Sequence, residues 1–160
     1  MIRQLDGRDI SRAAKVIRKS FSPVAAQFGL TKRNCPTHTS FITVKILWNH
    51  LEQGWLIFGL YEAGELVGAV SLRKEDEDVY ELKHLAVLPE FQCKGYGGQL
   101  LNFAKEKAAE MGAQKITLSI IEEHTTLKRW YEQQGFVHTG TKRFDHLPFT
   151  AGYMEWEVLQ

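Results

Sequence analysis

The sequence predicts an α/β or α+β sandwich built on a mixed sheet, and three observations predict it. Apolar periodicities follow one another in the order strand, two helices, three strands, helix, strand, helix, two strands. Three consecutive strands are incompatible with a doubly wound parallel sheet, in which helices alternate with strands. The length of 160 residues with 44% hydrophobic side chains suits one domain, residues 1–160, with a single sizeable core.

Met1 to Leu5 reads as a short strand. Asp6 can cap a helix whose apolar positions Ile10, Ala13, Ala14, Ile17 and Phe21 recur at helical spacing, and Ser22 and Pro23 are expected to end it. Pro23 to Ser40 reads as loop. A second helix is expected to bury Phe41, Val44, Trp48 and Leu51 and to stop at Gly54. Trp55 to Tyr61 and Glu65 to Leu72 flank a Gly-containing turn, which is a hairpin signal, and the charged run Arg73 to Asp78 marks a further exposed turn. Val79 to Leu88 is a long strand closed by Pro89, which lacks an N–H. Leu101, Ala104, Ala108 and Met111 give a helix from Gly97, capped by Gly112. Lys115 to Ile121 is rich in β-branched residues and reads as a strand; His124 to Gln134 is a short helix ended by Gly135. Phe136 to Phe144 and Tyr153 to Leu159 form a last strand pair.

Twenty basic and nineteen acidic residues leave a formal charge of +1, too little to gather nucleic acid or an anionic membrane onto the surface as a whole. The N-terminus is charged where a secretory signal needs an apolar run, and no stretch approaches the about 18 consecutive apolar residues of a membrane span. A cytoplasmic protein is expected. Two cysteines, Cys35 and Cys93, read as free thiols in a reducing compartment. Cys35 and His38 make only a pair of metal-ligand types, short of the three or four a zinc site needs, so no metal is expected.

Gln92 to Gly98, QCKGYGG, lies between a strand and a helix. Such a loop binds phosphate because glycines let backbone amides approach the anion, while the helix start adds unpaired N–H groups and about half a positive charge. Tight-turn chemistry is the plainer use of three glycines. A Walker loop is excluded because Gln99 and Leu100 follow Gly98, and a dinucleotide fingerprint because Leu100 stands where a third glycine is needed.

Gln92, Gly95 and Gly97 meet the Gln/Arg-x-x-Gly-x-Gly/Ala signature of the GNAT superfamily of N-acetyltransferases, which this sequence resembles. ELKHLAVLPEF before the loop looks like that family's fourth strand. HTTLKRWYEQQGF resembles its Asn-x-x-x-x-x-x-Tyr-x-x-x-Gly-Phe segment, with Tyr131, Gly135 and Phe136 in place and His124 where the family usually has Asn. The likeness implies a mostly antiparallel, six- to seven-stranded mixed sheet, about four flanking helices, and a splay between the fourth and fifth strands that admits acetyl-CoA. It implies that Leu85, Ala86 and Val87 border the thioester and pantetheine. The amides of Cys93, Lys94, Gly95, Tyr96, Gly97 and Gly98 would then hold the diphosphate, and His124, Leu127 and Lys128 would border the cofactor on the other side. Lys94, Lys128 and Arg129 are possible phosphate partners or simply solvated surface.

The implied reaction moves an acetyl group from acetyl-CoA to a primary amine of a small molecule or peptide. A lysine-like amine has a pKa of about 10.4, so a base or water chain must take its proton. Strand alternation puts Glu81, Lys83, Leu85 and Val87 on one face, and Glu81 matches a family position for the general base; a structural ion pair with Lys83 or a neighbouring strand is its other reading. Tyr131 stands where the family's acid tyrosine does and would protonate the leaving thiolate; otherwise it anchors its helix with Trp130. The acceptor pocket is expected from Phe21 to Phe41 and from Arg143 to Tyr153. A non-catalytic acyl-CoA sensor and a protein lysine or N-terminal acetyltransferase are the alternatives. Dimers are common in such families, so a homodimer is admitted.

Overall fold

The computed structural model describes residues 1–158, so the predicted end of the last strand at Leu159 lies outside the described residues. Its elements are β1 (Ile2–Gln4), α1 (Ile10–Gln27), α2 (Val44–Glu52), β2 (Leu56–Glu62), β3 (Glu65–Asp76), β4 (Val79–Val87), α3 (Tyr96–Glu110), β5 (Lys115–Ile121), α4 (Thr125–Gln133), β6 (Val137–Arg143) and β7 (Thr150–Glu157). They build one seven-stranded sheet in the order β1-β2-β3-β4-β5-β7-β6. Every neighbouring pair is antiparallel except β4 with β5.

Helices cover both faces. One face carries α3, whose Leu100, Leu101 and Ala104 pack on Phe58, Leu72, Ile116 and Met154; the other carries α1 and α2, whose Ile10, Ile17 and Leu47 pack on Ile57, Ala69 and Ala86. Gly68 lets β3 come close to its neighbours, since a Cβ there would stand 2.9 Å from both the Ala86 carbonyl oxygen and Leu100 Cδ1. The β2–β3 hairpin turns through Ala63 and Gly64, both at positive φ, as a two-residue turn matched to strand twist requires.

Three local expectations are corrected. Helix α1 does not stop at Ser22 and Pro23 but runs four residues beyond Pro23 to Gln27. Ala25 in this last turn is buried with Leu30, Cys35 and Ile121, and this packing outweighs the lost N–H of the proline. The inward face of α2 is Leu47 and Leu51, four apart, whereas Val44 and Trp48 are more than 40% exposed. Trp48 lies instead over Gly7, whose missing side chain leaves room for the indole. The charged run after Leu72 continues β3 as far as Asp76, because Arg73 and Lys74 pair with Glu81 and Tyr80 of β4.

The parallel β4–β5 pair is short. Its register covers Val79, Tyr80 and Glu81 against Lys115, Ile116 and Thr117, and stops there. Beyond Glu81 the two strands part, and the cleft described next opens between them.

Candidate active site

Strand β4 does not alternate regularly. His84 sits at φ 56°, and the β3 register slips between Ala69 and Ser71, so that three residues of β4 span two of β3. Such a bulge reverses which face each later residue presents. Leu82 therefore packs in the α3-side core while Ala86, four residues on, packs in the α1-side core. The expected common face of Glu81, Lys83, Leu85 and Val87 is corrected accordingly. Leu85 and Val87 join the α3-side cluster, whereas Lys83 and Arg73, the ion-pair partners of Glu81, lie over the Trp55 ring beside α2.

The backbone of β4 beyond the bulge has a free edge. Leu88 donates its N–H to Val67 of β3 at 2.9 Å, so the groups of Ala86 also face β3. Those of Leu85 and Val87 face the gap toward β5, by the two-residue alternation of a strand. The Val87 carbonyl on that edge accepts a hydrogen bond from Gln92 Nε2 at 3.0 Å.

The loop then turns through two residues in left-handed conformation, Cys93 at φ 62° and Gly95 at φ 84°. Gly95 is the N-cap of α3 and offers no capping side chain. Among the described residues the N–H groups of Cys93 to Gly98 have no acceptor; the first amide with one is Gln99, bonded to Gly95 O at 3.1 Å. Six consecutive donors are thus left for an anion at the positive end of a 15-residue helix. Gly97 faces Trp130, whose ring would lie 3.6 Å from a Cβ at that position.

These features border one cleft of about 960 Å³. Of the predicted cofactor residues, Leu85, Ala86, Val87, Gln92, Cys93, Gly95, Tyr96, Gly97, Gly98, His124 and Leu127 line it. Lys94 and Lys128 do not: Lys94 Nζ lies over the Phe91 ring at 5.4 Å, and Lys128 Nζ is paired with Glu122 at 3.0 Å. Tyr96 Oη donates to Glu62 at 2.8 Å. His124 starts α4 without capping it, rests on Phe28 at 5.4 Å between ring centres, and is held neutral by burial.

Tyr131 lines the cleft between Trp130 and Phe136, which meet its ring edge-on. Burial pushes its phenol well above the ordinary value, so the proton stays on the oxygen. Glu81 stands on the last paired position of β4 and β5, 2.6 Å from Arg73 Nη2 and 4.0 Å from Lys83 Nζ. Glu81 itself lines a smaller cavity of about 190 Å³ with Glu75, Thr117 and Glu155 and not the main cleft, which its partner Lys83 does line.

The far end of the cleft is walled by Phe21, Val24, His38 and Phe41, from the Phe21–Phe41 region, and by Ile42 and Ile46 beyond it. The final loop, also expected there, is elsewhere: Leu147 and Phe149 pack on Ala25, Leu30, Cys35 and Ile121. Sequence reasoning missed Trp130 and the stack of His50, Trp55 and His84. The His50 ring lies 3.7 Å from that of Trp55 and 5.6 Å from that of His84. Burial, with His50 and Lys83 beside it, lowers His84 to about 3; burial, with Lys83 and Arg73, also lowers His50. Two adjacent polar residues, Lys83 and His84, in a run that should alternate were the signal that the strand is irregular.

Residues 27–136 match the acetyltransferase (GNAT) family. The chain belongs to that family. This GNAT domain is 35% identical over 80 residues to an uncharacterized N-acetyltransferase, YhfO, of Bacillus subtilis, and 32% identical over 78 residues to an aminoalkylphosphonate N-acetyltransferase of Salmonella typhimurium. The alignments take in 47% and 46% of this chain, and the chain spans about half the length of these relatives, 54% and 51%. Its fold is that of the PaiA N-acetyltransferase of Thermoplasma acidophilum, solved in complex with coenzyme A, at TM-score 0.80 and 20% identity over 98% of each chain. The expected mixed sheet with its splay is therefore present. Among the described residues no cluster of three metal-ligating side chains occurs, and no helix is long and apolar enough to cross a membrane.

Proposed function

We propose that this GNAT domain, residues 1–160, transfers an acetyl group from acetyl-CoA to a primary amine of a small molecule or peptide by direct attack on the thioester. The observation that carries the reading is the run of unpartnered N–H groups from Cys93 to Gly98 at the open start of α3, at the mouth of the 960 Å³ cleft. A diphosphate fits that array, and the pantetheine would then lie along the free edge of β4. The names of the relatives and the coenzyme in the fold neighbour point the same way.

The N–H of Leu85, turned into the gap, would donate to the thioester oxygen as negative charge gathers there. The amine nitrogen forms the C–N bond, and the C–S bond breaks as the tetrahedral intermediate collapses. Glu81, at the last paired position before the strands part, would take the amine proton through water, since its carboxylate does not line the cleft. Tyr131 would give its proton, or a strong hydrogen bond, to the departing sulfur, whose own basicity rises in the same dry setting.

The test is thiol release from acetyl-CoA across amines, amino acids, polyamines, aminoglycosides and peptides. Acetylated amine in amounts matching the thiol supports the reaction. Tight acetyl-CoA binding with no thiol released by any amine would instead make the protein an acyl-CoA sensor.

A further inference from the structure

The acceptor end of the cleft has an unusual charge balance. Among the described residues lining the cleft there is no aspartate and no glutamate, and Lys83 is the one side chain with a formal charge. The histidines beside it are His38, which burial lowers, His50, lowered by burial with Lys83 and Arg73, and His84, lowered by burial with His50 and Lys83. A substrate with a second ammonium group would bring that charge into this wall with no carboxylate to meet it, and beside a like charge.

Lys83 itself is only loosely neutralised. Glu81 Oε1 lies 2.6 Å from Arg73 and 4.0 Å from Lys83, so its close partner is Arg73. The three side chains sum to one positive charge. Lys83 stands on the α2 side, before the bulge at His84, with its Nζ 5.8 Å from the centre of the Trp55 ring. Lys83 and Leu85 flank the bulge at His84, and both line the same cleft. An anion held by Lys83 would therefore share the cleft with an amine reacting beside Leu85. The buried Nδ1 atoms of His50 and His84 have no partner among the described residues, so this wall is short of polar partners. Phe21, Phe41 and Ile46 supply an apolar part of the same lining.

We propose that the acceptor is a small amine carrying its own anionic group, a carboxylate or phosphonate within a few bonds of the nitrogen, and an apolar body, with Lys83 as the anion's partner. This rests on the acetyl-transfer reading above and narrows it, setting polyamines and aminoglycosides aside.

The experiment compares four acceptors: phenethylamine, phenylalanine, its aminophosphonate counterpart and spermidine. The expected kcat/KM is at least tenfold higher for the two anionic amines than for phenethylamine, with spermidine lowest; the ratio between carboxylate and phosphonate tells which anion is preferred. In Lys83→Gln that anionic advantage should fall at least tenfold, chiefly through KM, and Lys83→Arg should restore most of it, which a purely structural role would not do. Equal or better use of spermidine or phenethylamine, or an advantage untouched by Lys83→Gln, overturns the proposal. Calorimetric titration of the same four amines into the protein saturated with coenzyme A reads the subsite without turnover. Anion-selective binding there with no thiol release would refute the transfer reaction and support the subsite; binding without anion selectivity would overturn the subsite.

Discussion

Gln92 reaches back from the phosphate loop to the end of β4 and donates its Nε2–H to the carbonyl oxygen of Val87 at 3.0 Å. The first residue of the signature is thus a tie between the strand edge that would pair with pantetheine and the loop that would hold the diphosphate.

Removing the tie should loosen the loop without unfolding the domain. A partly buried hydrogen bond of this kind is worth about 1 kcal/mol, or roughly fivefold in an equilibrium constant. Gln92→Ala is expected to raise the Kd for acetyl-CoA about five- to tenfold, read by calorimetry, with the melting temperature little changed.

Tyr131→Phe keeps the edge-on packing with Trp130 and Phe136 and deletes only the hydroxyl. Turnover should fall by about a hundredfold, the scale of general acid catalysis, while acetyl-CoA affinity stays within about twofold. Unaltered turnover in the folded variant would remove Tyr131 from the mechanism.

Glu81→Gln separates a base from a structural ion pair. A base matters most where the amine is protonated, so kcat/KM should drop at least tenfold at pH 7 and recover as pH approaches the amine's pKa of about 10. A lower melting temperature with a normal rate would show that Glu81 only clasps Arg73 across β3 and β4.

His84 makes stability depend on pH. Its folded-state pKa of about 3 lies below the ordinary 6.5, so between those values the unfolded chain binds more protons than the native one. Stability is fully present above about 6.5 and is lost as pH falls, by about 1.4 kcal/mol for each unit. Between pH 6.5 and 5, above the ordinary carboxylate range, the slope of denaturant-derived stability should be clearly flatter in His84→Asn. Asparagine tolerates the positive φ at this position, so the variant is expected to fold.

What the sequence made legible was local chemistry. Lys115–Ile121 forms the strand its β-branched residues predict, and the QCKGYGG loop enters α3 one residue before the expected Gly97. What it concealed depends on contacts between distant segments. Pro23 reads as a stop, yet the turn after it is held by Ile121 from across the fold. The exposed side of α2 looks as apolar as its buried side, and only the packing of Leu47 and Leu51 on the α1-side core distinguishes them. The bulge at His84 reversed the face of every later β4 residue, so alternation placed Glu81 and Lys83 correctly relative to each other and wrongly relative to Leu85. The donor-lined loop was legible because backbone amides at a helix start need no side-chain partner to be recognised; the far wall of the cleft was legible only in its Phe21–Phe41 part, because α1, residues 36–42, α2, Trp55 and β4 come together there from distant parts of the chain.

On the proposed reaction, the main-chain donors of Cys93 to Gly98 grip a diphosphate. An amide-resolved NMR titration of ¹⁵N-labelled protein tests it most directly, with coenzyme A in one arm and pantetheine, which lacks the diphosphate, in the other. Large shifts of those six amides with coenzyme A and little change with pantetheine are predicted. Coenzyme A binding that leaves the six resonances where they were would contradict the account.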